Sequence, residues 1–137
     1  MLRDPAAVLA RGRAMAEARM TSRCIVRRKT GAFEVVDGFK MPTWATIHTD
    51  LPVRLAGSRG GTASSRVRDL AGAEIQSPVR EAHVPEATDD LADGDLIEIT
   101  AGENTGVVLR IVEATWQDQA TARRLPVVGE ARPKEWA

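Results

Sequence analysis

The sequence has little of several residue types on which special chemistry depends, and each shortage excludes a class of protein. There is one cysteine, Cys24, in 137 residues. A lone cysteine cannot form a disulfide within the chain, so the sequence does not predict a stapled secreted domain. There are only two histidines, His48 and His83, and the zinc-binding Cys/His spacings are absent.

Net charge, aromatic residues and long apolar runs are also scarce. Nineteen Lys and Arg balance nineteen Asp and Glu, and a neutral total disfavours a protein dedicated to coating DNA. Two Phe, three Trp and no Tyr offer few stacking surfaces for single-stranded nucleic acid. No apolar run approaches the ~18 residues that span a bilayer, and segment 1–20 lacks a signal-peptide core. We expect a chain without a membrane segment that is made in a reducing compartment.

The N-terminal segment carries the signals of one helix, predicted over 5–20. Asp4 can cap this helix, and Pro5 suits its first position. At the helical period, one side collects the residues Val8, Leu9, Gly12, Met15, Ala16 and Met20. This face packs either on its own domain or on a neighbouring subunit. In the second case Val8, Leu9 and Met15 are candidate inter-subunit contacts.

The pattern then changes to short β-branched stretches separated by turns, within 23–55 and again within 76–128. Asp37-Gly38 is a turn signal, and Asp50-Leu51-Pro52 is predicted to break a strand. The predicted strands are Cys24–Lys29, Phe33–Val36, Trp44–Thr49, Val79–Val84, Asp95–Thr100, Val107–Ala114 and Thr121–Val128. Strands do not alternate with helices, which disfavours a parallel sheet. The predicted fold is mainly β: a small antiparallel β-barrel or sandwich with an N-terminal α-helix, in a single domain over 1–137.

Two segments are unlike a core. Residues 56–75 are rich in Gly and Ser and contain Arg59, Arg66 and Arg68. A stretch of this length and composition is typical of a functional or a disordered loop, and we predict a long mobile loop. The tail, 129–137, is polar apart from Trp136. We predict that it is loose or that it contacts a partner.

The acidic stretch DDLADGDLIEI, 89–99, raises the question of a metal or catalytic site. If Gly94 were the sixth position of a calcium loop, Leu91 and Thr100 would occupy the third and twelfth positions, where oxygen ligands are needed. The nearest approach to a nucleophile elbow, Gly57–Gly61, has no strand-to-helix turn before it. We therefore interpret the stretch as an Asp-Gly turn that starts a strand. We predict no catalytic residue, no metal site and no cofactor.

The order of these features resembles a known family. LARGRAMAEARM leads into CIVRR, followed by PTWATIHTDLPVRL, an apolar strand that closes at Val84-Pro85, DLADGDLIEI, GVVLRIVEAT and TARRLPVVGEA. From about Leu9 to Glu130, the chain resembles the head-to-tail stopper proteins, or head-closure proteins, in the neck of long-tailed bacteriophages, especially those that infect actinobacteria. The likeness consists of turns and strand spacing and includes no invariant site.

The resemblance implies a structural virion protein, not an enzyme. Its β-barrel subunits would form a homo-oligomeric ring, a hexamer or dodecamer, after assembly in the host cytoplasm. The ring would lie in the virion neck between the portal–adaptor ring and the tail terminator or tail tube. DNA would pass through its lumen with non-specific contacts. Two alternatives stay open: another neck ring, such as an adaptor or tail terminator, or a small β-barrel nucleic-acid-binding module.

The resemblance also gives the unusual segments candidate roles. Copies of the loop 56–75 could converge on the ring axis, where Arg59, Arg66 and Arg68 would meet phosphate or acidic residues of a neighbour. The alternative for this loop is a disordered surface segment. Trp136 joins the N-terminal helix as a candidate inter-subunit contact, because both can offer apolar surface at the edge of a small barrel.

Overall fold

The computed structural model describes residues 4–56, 64–68, 74–78, 80–114 and 120–136, with the backbone alone described at 64–68 and 74–78. The described part contains one helix and eight strands. In chain order they are α1 (Pro5–Ala18), β1 (Ser22–Val36), β2 (Phe39–Ala56), β3 (Ser64–Arg68), β4 (Glu74–Pro78), β5 (Arg80–Pro85), β6 (Leu96–Ala101), β7 (Val108–Ile111) and β8 (Ala122–Gly129).

Six strands form a closed antiparallel barrel in the order β1-β2-β5-β8-β7-β6. Closure gives every barrel strand two neighbours, which leaves no full-length edge open to other chains. β1 pairs with β2 over its whole length and with β6 at Arg23–Arg27. Register shifts between Cys24 and Arg27 mark bulges in β1, and bulges increase the twist of a strand. The predicted fold class, a mainly β antiparallel barrel with an N-terminal helix, is confirmed.

The core follows the period of two on every barrel strand. One buried cluster contains Cys24, Val26, Leu51, Val53, Ala82, Val84, Leu91, Ile97, Ile99, Leu109, Ile111, Leu125 and Val127. A second cluster, Leu96, Val108 and Trp136, lies against Trp44. Leu96 and Val108 precede Ile97 and Leu109 by one residue, so they lie on the outer face of the barrel. Residues near the C-terminus therefore cover part of this outer face.

The helix begins as predicted and ends two residues earlier. The Asp4 carboxylate accepts a hydrogen bond from Ala6 N at 3.0 Å, and Arg19 is the C-cap. α1 lies against β5 and β8, and no residue of the helix is buried. Gly12 allows a close approach, since a Cβ there would come within 2.9 Å of Thr121 Cγ2. α1 thus packs partly on its own domain.

β1 and β2 differ from their predicted extents. β1 was predicted as two shorter strands and β2 as one that breaks at Asp50-Leu51-Pro52. Each strand runs without interruption, and β2 passes through the predicted break. Pro52 lies where β2 pairs with β1 alone, because β5 joins β2 only at Arg54–Ala56. An edge position of this kind tolerates a residue without an N–H.

The segment predicted as one long loop, 56–75, contains secondary structure. β3 lies inside it, β4 begins at its end, and the two strands pair antiparallel as a separate two-stranded sheet. The register runs from Ser64 opposite Pro78 to Arg68 opposite Glu74. We call this element the β3–β4 hairpin. The rest of the predicted loop lies outside the described residues, Arg59 included.

Candidate functional site

The carboxylates of the acidic stretch 89–98 tie this stretch to the barrel. Asp95 is 1% exposed and accepts hydrogen bonds from Arg28 Nε and Nη2, both at 2.8 Å, and from Ala92 N at 2.9 Å. The hydrogen bond to Asp95 raises the pKa of Arg28. Asp93 accepts from Ala114 N at 2.7 Å. Gly94 has a φ of 85°, which glycine adopts at little cost. The predicted Asp-Gly turn before a strand is confirmed.

His48 forms a pair with one carboxylate of the acidic stretch. His48 Nε2 lies 2.7 Å from Asp90 Oδ1, and this hydrogen bond is the main cause of a lowered pKa at Asp90. A Ser–His–Asp site also needs a nucleophile beside the imidazole. In the described ranges, no Ser or Cys is hydrogen-bonded to His48. Nor do those ranges contain a group of three His, Cys, Asp or Glu that could hold a metal ion.

Cys24 is a core residue. Its side chain is fully buried, and burial, followed by the nearby charge of Asp50, raises the pKa of the thiol to about 12. A thiol in this state is a small apolar side chain and a poor nucleophile. As for membranes, no helix among the described residues is both long and apolar enough to cross one.

The most conspicuous surface is a two-stranded ribbon that extends from the barrel. Past Arg27, β1 pairs with β2 alone, as far as the Val36–Phe39 pair at the tip. Asp37 and Gly38 both have positive φ, as a two-residue hairpin turn of type I′ requires. We define residues 29–44 as the ribbon. At ~3.3 Å per residue, it reaches roughly 25 Å.

The ribbon exposes most of its apolar side chains. Phe33 is 63% exposed, Val35 70% and Phe39 69%, and Val36 is exposed as well. Phe33 and Phe39 are the only phenylalanines of the chain. Beyond the barrel the outer edges of both strands also lack a described neighbour. Aromatic residues on an exposed sheet edge are typical of a contact with another chain.

A bulge sets the direction of the ribbon. The pairing shifts between Lys29 and Phe33, and Gly31 has a φ of 86° within the shift. The Thr30 and Thr43 hydroxyls hydrogen-bond to each other, and Ala32 N donates to Thr30 Oγ1 at 3.2 Å. Side chains thus satisfy some of the hydrogen-bonding groups that the bulge removes from the strand ladder. Because a bulged strand bends, the bulge changes the direction of the ribbon.

The C-terminal segment 130–136, which was predicted to be loose or to contact a partner, packs on the barrel of its own chain. Trp136 is only 7% exposed. Its ring meets the Trp44 ring edge to face, with centroids 5.2 Å apart, and the Arg27 guanidinium lies 4.3 Å from its centroid. Trp44 Nε1 donates to Glu135 Oε1 at 2.9 Å. Trp136 therefore contacts its own chain, and little of its surface is left for a neighbouring subunit.

An ion triad holds the same segment. Glu98 of β6 accepts from Arg27 at 2.8 Å and from Arg132 at 2.7 Å, while Arg132 Nη1 also donates to Trp136 O at 2.7 Å. Burial alone would raise the pKa of Glu98, but the hydrogen bonds and charges of Arg132 and Arg27 outweigh burial and lower it. The triad fixes the segment across β1 and β6.

Between the ribbon and this segment lies an open groove of about 520 Å³. Its walls carry both apolar and charged groups, among them Val36, Met41, Trp44, Glu34 and Lys134. All three lysines of the chain, Lys29, Lys40 and Lys134, lie on the ribbon or line this groove.

The other predicted site residues are not brought to one place. Val8 and Met15 are exposed on α1, and Leu9 is half-buried. Arg66 and Arg68 lie on β3, at positions where the backbone alone is described.

The sequence interpretation overlooked the ribbon. Its signal was present: AFEVV and FKM flank Asp37-Gly38, and two apolar stretches around such a dipeptide indicate a hairpin. The local sequence does not show that these residues are exposed, because the same pattern would suit a strand covered by the rest of the protein.

Comparison with known proteins identifies a family for this chain but no function. No curated protein and no solved structure matches it. Residues 12–128, most of the chain, match the DUF6093 family, which is described as a family of unknown function, and the chain therefore belongs to that family.

Proposed function

We propose that this chain is a structural virion protein that forms a ring in the neck of a long-tailed bacteriophage, between the portal–adaptor complex and the tail. The exposed apolar ribbon is the observation that carries the proposal. The order of sequence features that resembles the stopper proteins supports the phage setting. In this function the chain is a building block that seals the head and lets DNA pass.

The ribbon favours assembly because its exposure to water is costly. Burying one Phe side chain is worth ~1.5–3 kcal/mol, and Phe33 and Phe39 both lie in solvent. The charges of the ribbon, Lys29, Glu34, Asp37 and Lys40, cancel. A neutral apolar ribbon suits contact with protein better than contact with the phosphates of DNA.

A ring, rather than a two-fold dimer, fits the distribution of apolar residues. Val8 and Met15 of α1 are exposed in a different part of the fold from Phe33 and Phe39. When unlike surfaces of one chain meet head to tail, repetition of the contact gives a closed ring or an open filament. The proposed contact therefore joins the ribbon of one subunit to the α1 side of the next.

The β3–β4 hairpin is the proposed element at the ring axis. It forms its own two-stranded sheet outside the six-stranded barrel, and β3 carries Arg66 and Arg68. A ring of such hairpins could narrow a channel while the barrels form its wall. We propose no catalytic activity, because the buried carboxylate Asp95 and the partly buried Glu98 are both held by arginines.

The direct test is negative-stain electron microscopy of the chain mixed with the portal–adaptor complex of the same phage. We expect one additional ring at the tail-facing end of the complex. The variant Phe33→Ser/Phe39→Ser should fold but fail to add this ring. Asp37→Asn, at the tip of the same ribbon, should add it normally, because it keeps both phenylalanines and asparagine tolerates the positive φ at this position.

The possible outcomes test the neck function and the ribbon contact separately. If the wild-type chain adds no ring to the complex and is absent from purified virions, the neck function is wrong. If the Phe33→Ser/Phe39→Ser chain adds the ring as readily as the wild type, the neck function stands and the ribbon contact is wrong. A ring at the distal end of a tail tube would instead identify a tail terminator.

A further inference from the structure

Three basic side chains lie side by side on neighbouring strands of the barrel. The register places Arg54 of β2 opposite His83 of β5, and His83 opposite Arg124 of β8. Directly opposed residues of an antiparallel pair share one face of the sheet, with Cβ atoms ~4.5–5.5 Å apart. Ala82 and Val84, on either side of His83, are buried in the core. The row therefore lies on the outer face of the barrel.

The end of α1 lies beside this row, and together they border a small, partly open pocket whose three arginines are exposed to solvent. Ala16, Arg19 and Met20 line it from the helix side, and Arg54, His83, Thr121, Ala122 and Arg124 line it from the barrel. Its volume is about 100 Å³. Since one water occupies ~30 Å³ in the liquid, the pocket has room for a few waters or one small tetrahedral ion.

His83 contributes a buried nitrogen to the site. Its Nε2 is buried and has no hydrogen-bond partner among the described residues. Glu81 Oε1, at 3.6 Å, is too far for a full hydrogen bond, so Glu81 acts mainly as a nearby charge. Burial is the main cause of the lowered pKa of His83; Glu81 opposes this shift, and the charges of Arg124 and Arg54 add to it. The imidazole is therefore neutral at neutral pH, and its Nε2 tautomer can donate one hydrogen bond.

The charge of the pocket calls for an anion. Among the described residues, Arg19, Arg54 and Arg124 line the pocket and Glu81 lies beside it, so basic side chains are in excess over carboxylates there. The C-terminal end of α1 contributes about half a negative charge, which offsets only part of this excess. Arg54 and Arg124 flank His83 on the two neighbouring strands, and an anion next to His83 could accept charge-assisted hydrogen bonds from both guanidinium groups.

We propose that this pocket binds a phosphate-class oxyanion, with the guanidinium groups of Arg19, Arg54 and Arg124 and the His83 Nε2 as its donors. A phosphate offers more oxygens to several guanidinium groups than the two of a carboxylate. The phosphate is either a free ion or a phosphate group of a nucleic acid. The inference rests on the barrel register and the pocket, and it stands apart from the proposed ring.

The test uses the full chain and the imidazole NMR signals of its two histidines. Inorganic phosphate, acetate and a short duplex DNA are titrated separately at constant ionic strength. We expect phosphate to shift the His83 signals in a saturable way and to leave His48 unchanged. If DNA acts at lower phosphate-group concentrations than the free ion, the source is nucleic acid. If the free ion acts and DNA does not, the ligand is a small ion.

The matched variants are Arg54→Gln/Arg124→Gln and, as control, Arg80→Gln, which alters an exposed arginine of β5 outside the pocket. Loss of charge-assisted hydrogen bonds should weaken phosphate binding about tenfold or more in the double variant and leave the control unchanged. Arg19→Gln is the substitute if the double variant loses its circular dichroism spectrum. The proposal is overturned if phosphate does not shift His83, if the pocket variant binds equally well, or if acetate is as effective as phosphate.

Discussion

Asp95 connects its own turn to β1 through one carboxylate. It receives two hydrogen bonds from the Arg28 guanidinium and a third from the backbone of its own turn. Because it is buried, removal of its charge would leave Arg28 without its counter-ion. Asp89, six residues earlier in the same acidic stretch, is exposed. Position within the turn, rather than residue type, therefore decides which aspartate supports the fold.

We expect Asp95→Asn to lower the free energy of unfolding by about 1–3 kcal/mol. Breaking a buried ion pair costs ~3–5 kcal/mol, and solvent around the partly exposed Arg28 reduces that cost. Asp89→Asn should change the free energy by less than ~0.5 kcal/mol. Urea unfolding followed by tryptophan fluorescence measures both. Equal effects of the two substitutions would contradict the structural role of Asp95.

Glu98 should make stability depend on pH in the acid range. Its pKa is lowered in the folded chain from a usual value of 4.5. A carboxylate of this kind adds its full stability above the unfolded value, and the contribution is lost as the pH falls through the folded value. We expect the wild-type chain to be more stable than Glu98→Gln at neutral pH, with the difference shrinking at pH values below 4.5. Urea unfolding across this range tests it, and a constant difference would contradict it.

The C-terminal segment 130–136 behaves as a structural element although it contains no regular secondary structure. It covers Leu96 and Val108 on the outer face of the barrel with Trp136, and Glu130 N donates to Val108 O at 3.0 Å. The segment belongs to none of the paired strands of the barrel, so it can open while the barrel stays folded. A substitution that opens the segment can therefore lower the free energy of unfolding by no more than the energy that holds the segment in place.

Trp136→Ala tests this element. Replacing a core Trp costs ~3–5 kcal/mol; because the segment can open locally, we expect about 1–3 kcal/mol here. The far-ultraviolet circular dichroism should stay unchanged, and a hydrophobic dye should bind more strongly to the uncovered outer face. Lys134→Ala, an exposed position of the same segment, is the control. Unchanged stability in the Trp136 variant would mean that the segment is not docked in solution.

At the scale of the whole molecule, a closed core carries two extensions. The barrel buries its apolar residues on its own, while no residue of the two buried clusters lies on the ribbon, and Trp44 at the base of the ribbon packs against the second cluster. Extensions of this kind can change with little cost to folding, and they determine which surfaces meet other molecules. The proposed ring assigns subunit contact to the ribbon and the channel to the hairpin.

The hairpin assignment predicts a DNA-retention phenotype. Phage that carry Arg66→Gln/Arg68→Gln should assemble necks but lose packaged DNA, since fewer positive charges would face phosphate at the axis. The measurement counts DNA-filled heads by electron microscopy and compares them with Arg11→Gln, an arginine exposed on α1. Full retention in the hairpin variant would rule out this role and leave the neck ring itself untested by this variant.

Much of the local structure could be predicted because its causes lie within a few residues. Asp4 and Pro5 start α1, Asp37-Gly38 turns the ribbon, and the alternation in GVVLRIV marks β7. The hairpin within 56–75 was not predicted, since Gly and Ser there carry no strand pattern. The pocket around His83 was not predicted either, because Arg19, Arg54 and Arg124 come from separate elements and meet only through register.

The sequence by itself determined the fold class, the caps and the turns, because propensity and periodicity act between near neighbours. Only the tertiary structure decided which faces are covered. Trp44 and Glu135 are hydrogen-bonded across a separation of 91 residues, and Arg28 and Asp95 across 67. Contacts over such distances depend on how the barrel closes. Closure thus buries Trp136, although it belongs to a polar tail. It leaves Phe33 and Phe39 exposed to water, although they belong to an apolar strand pattern.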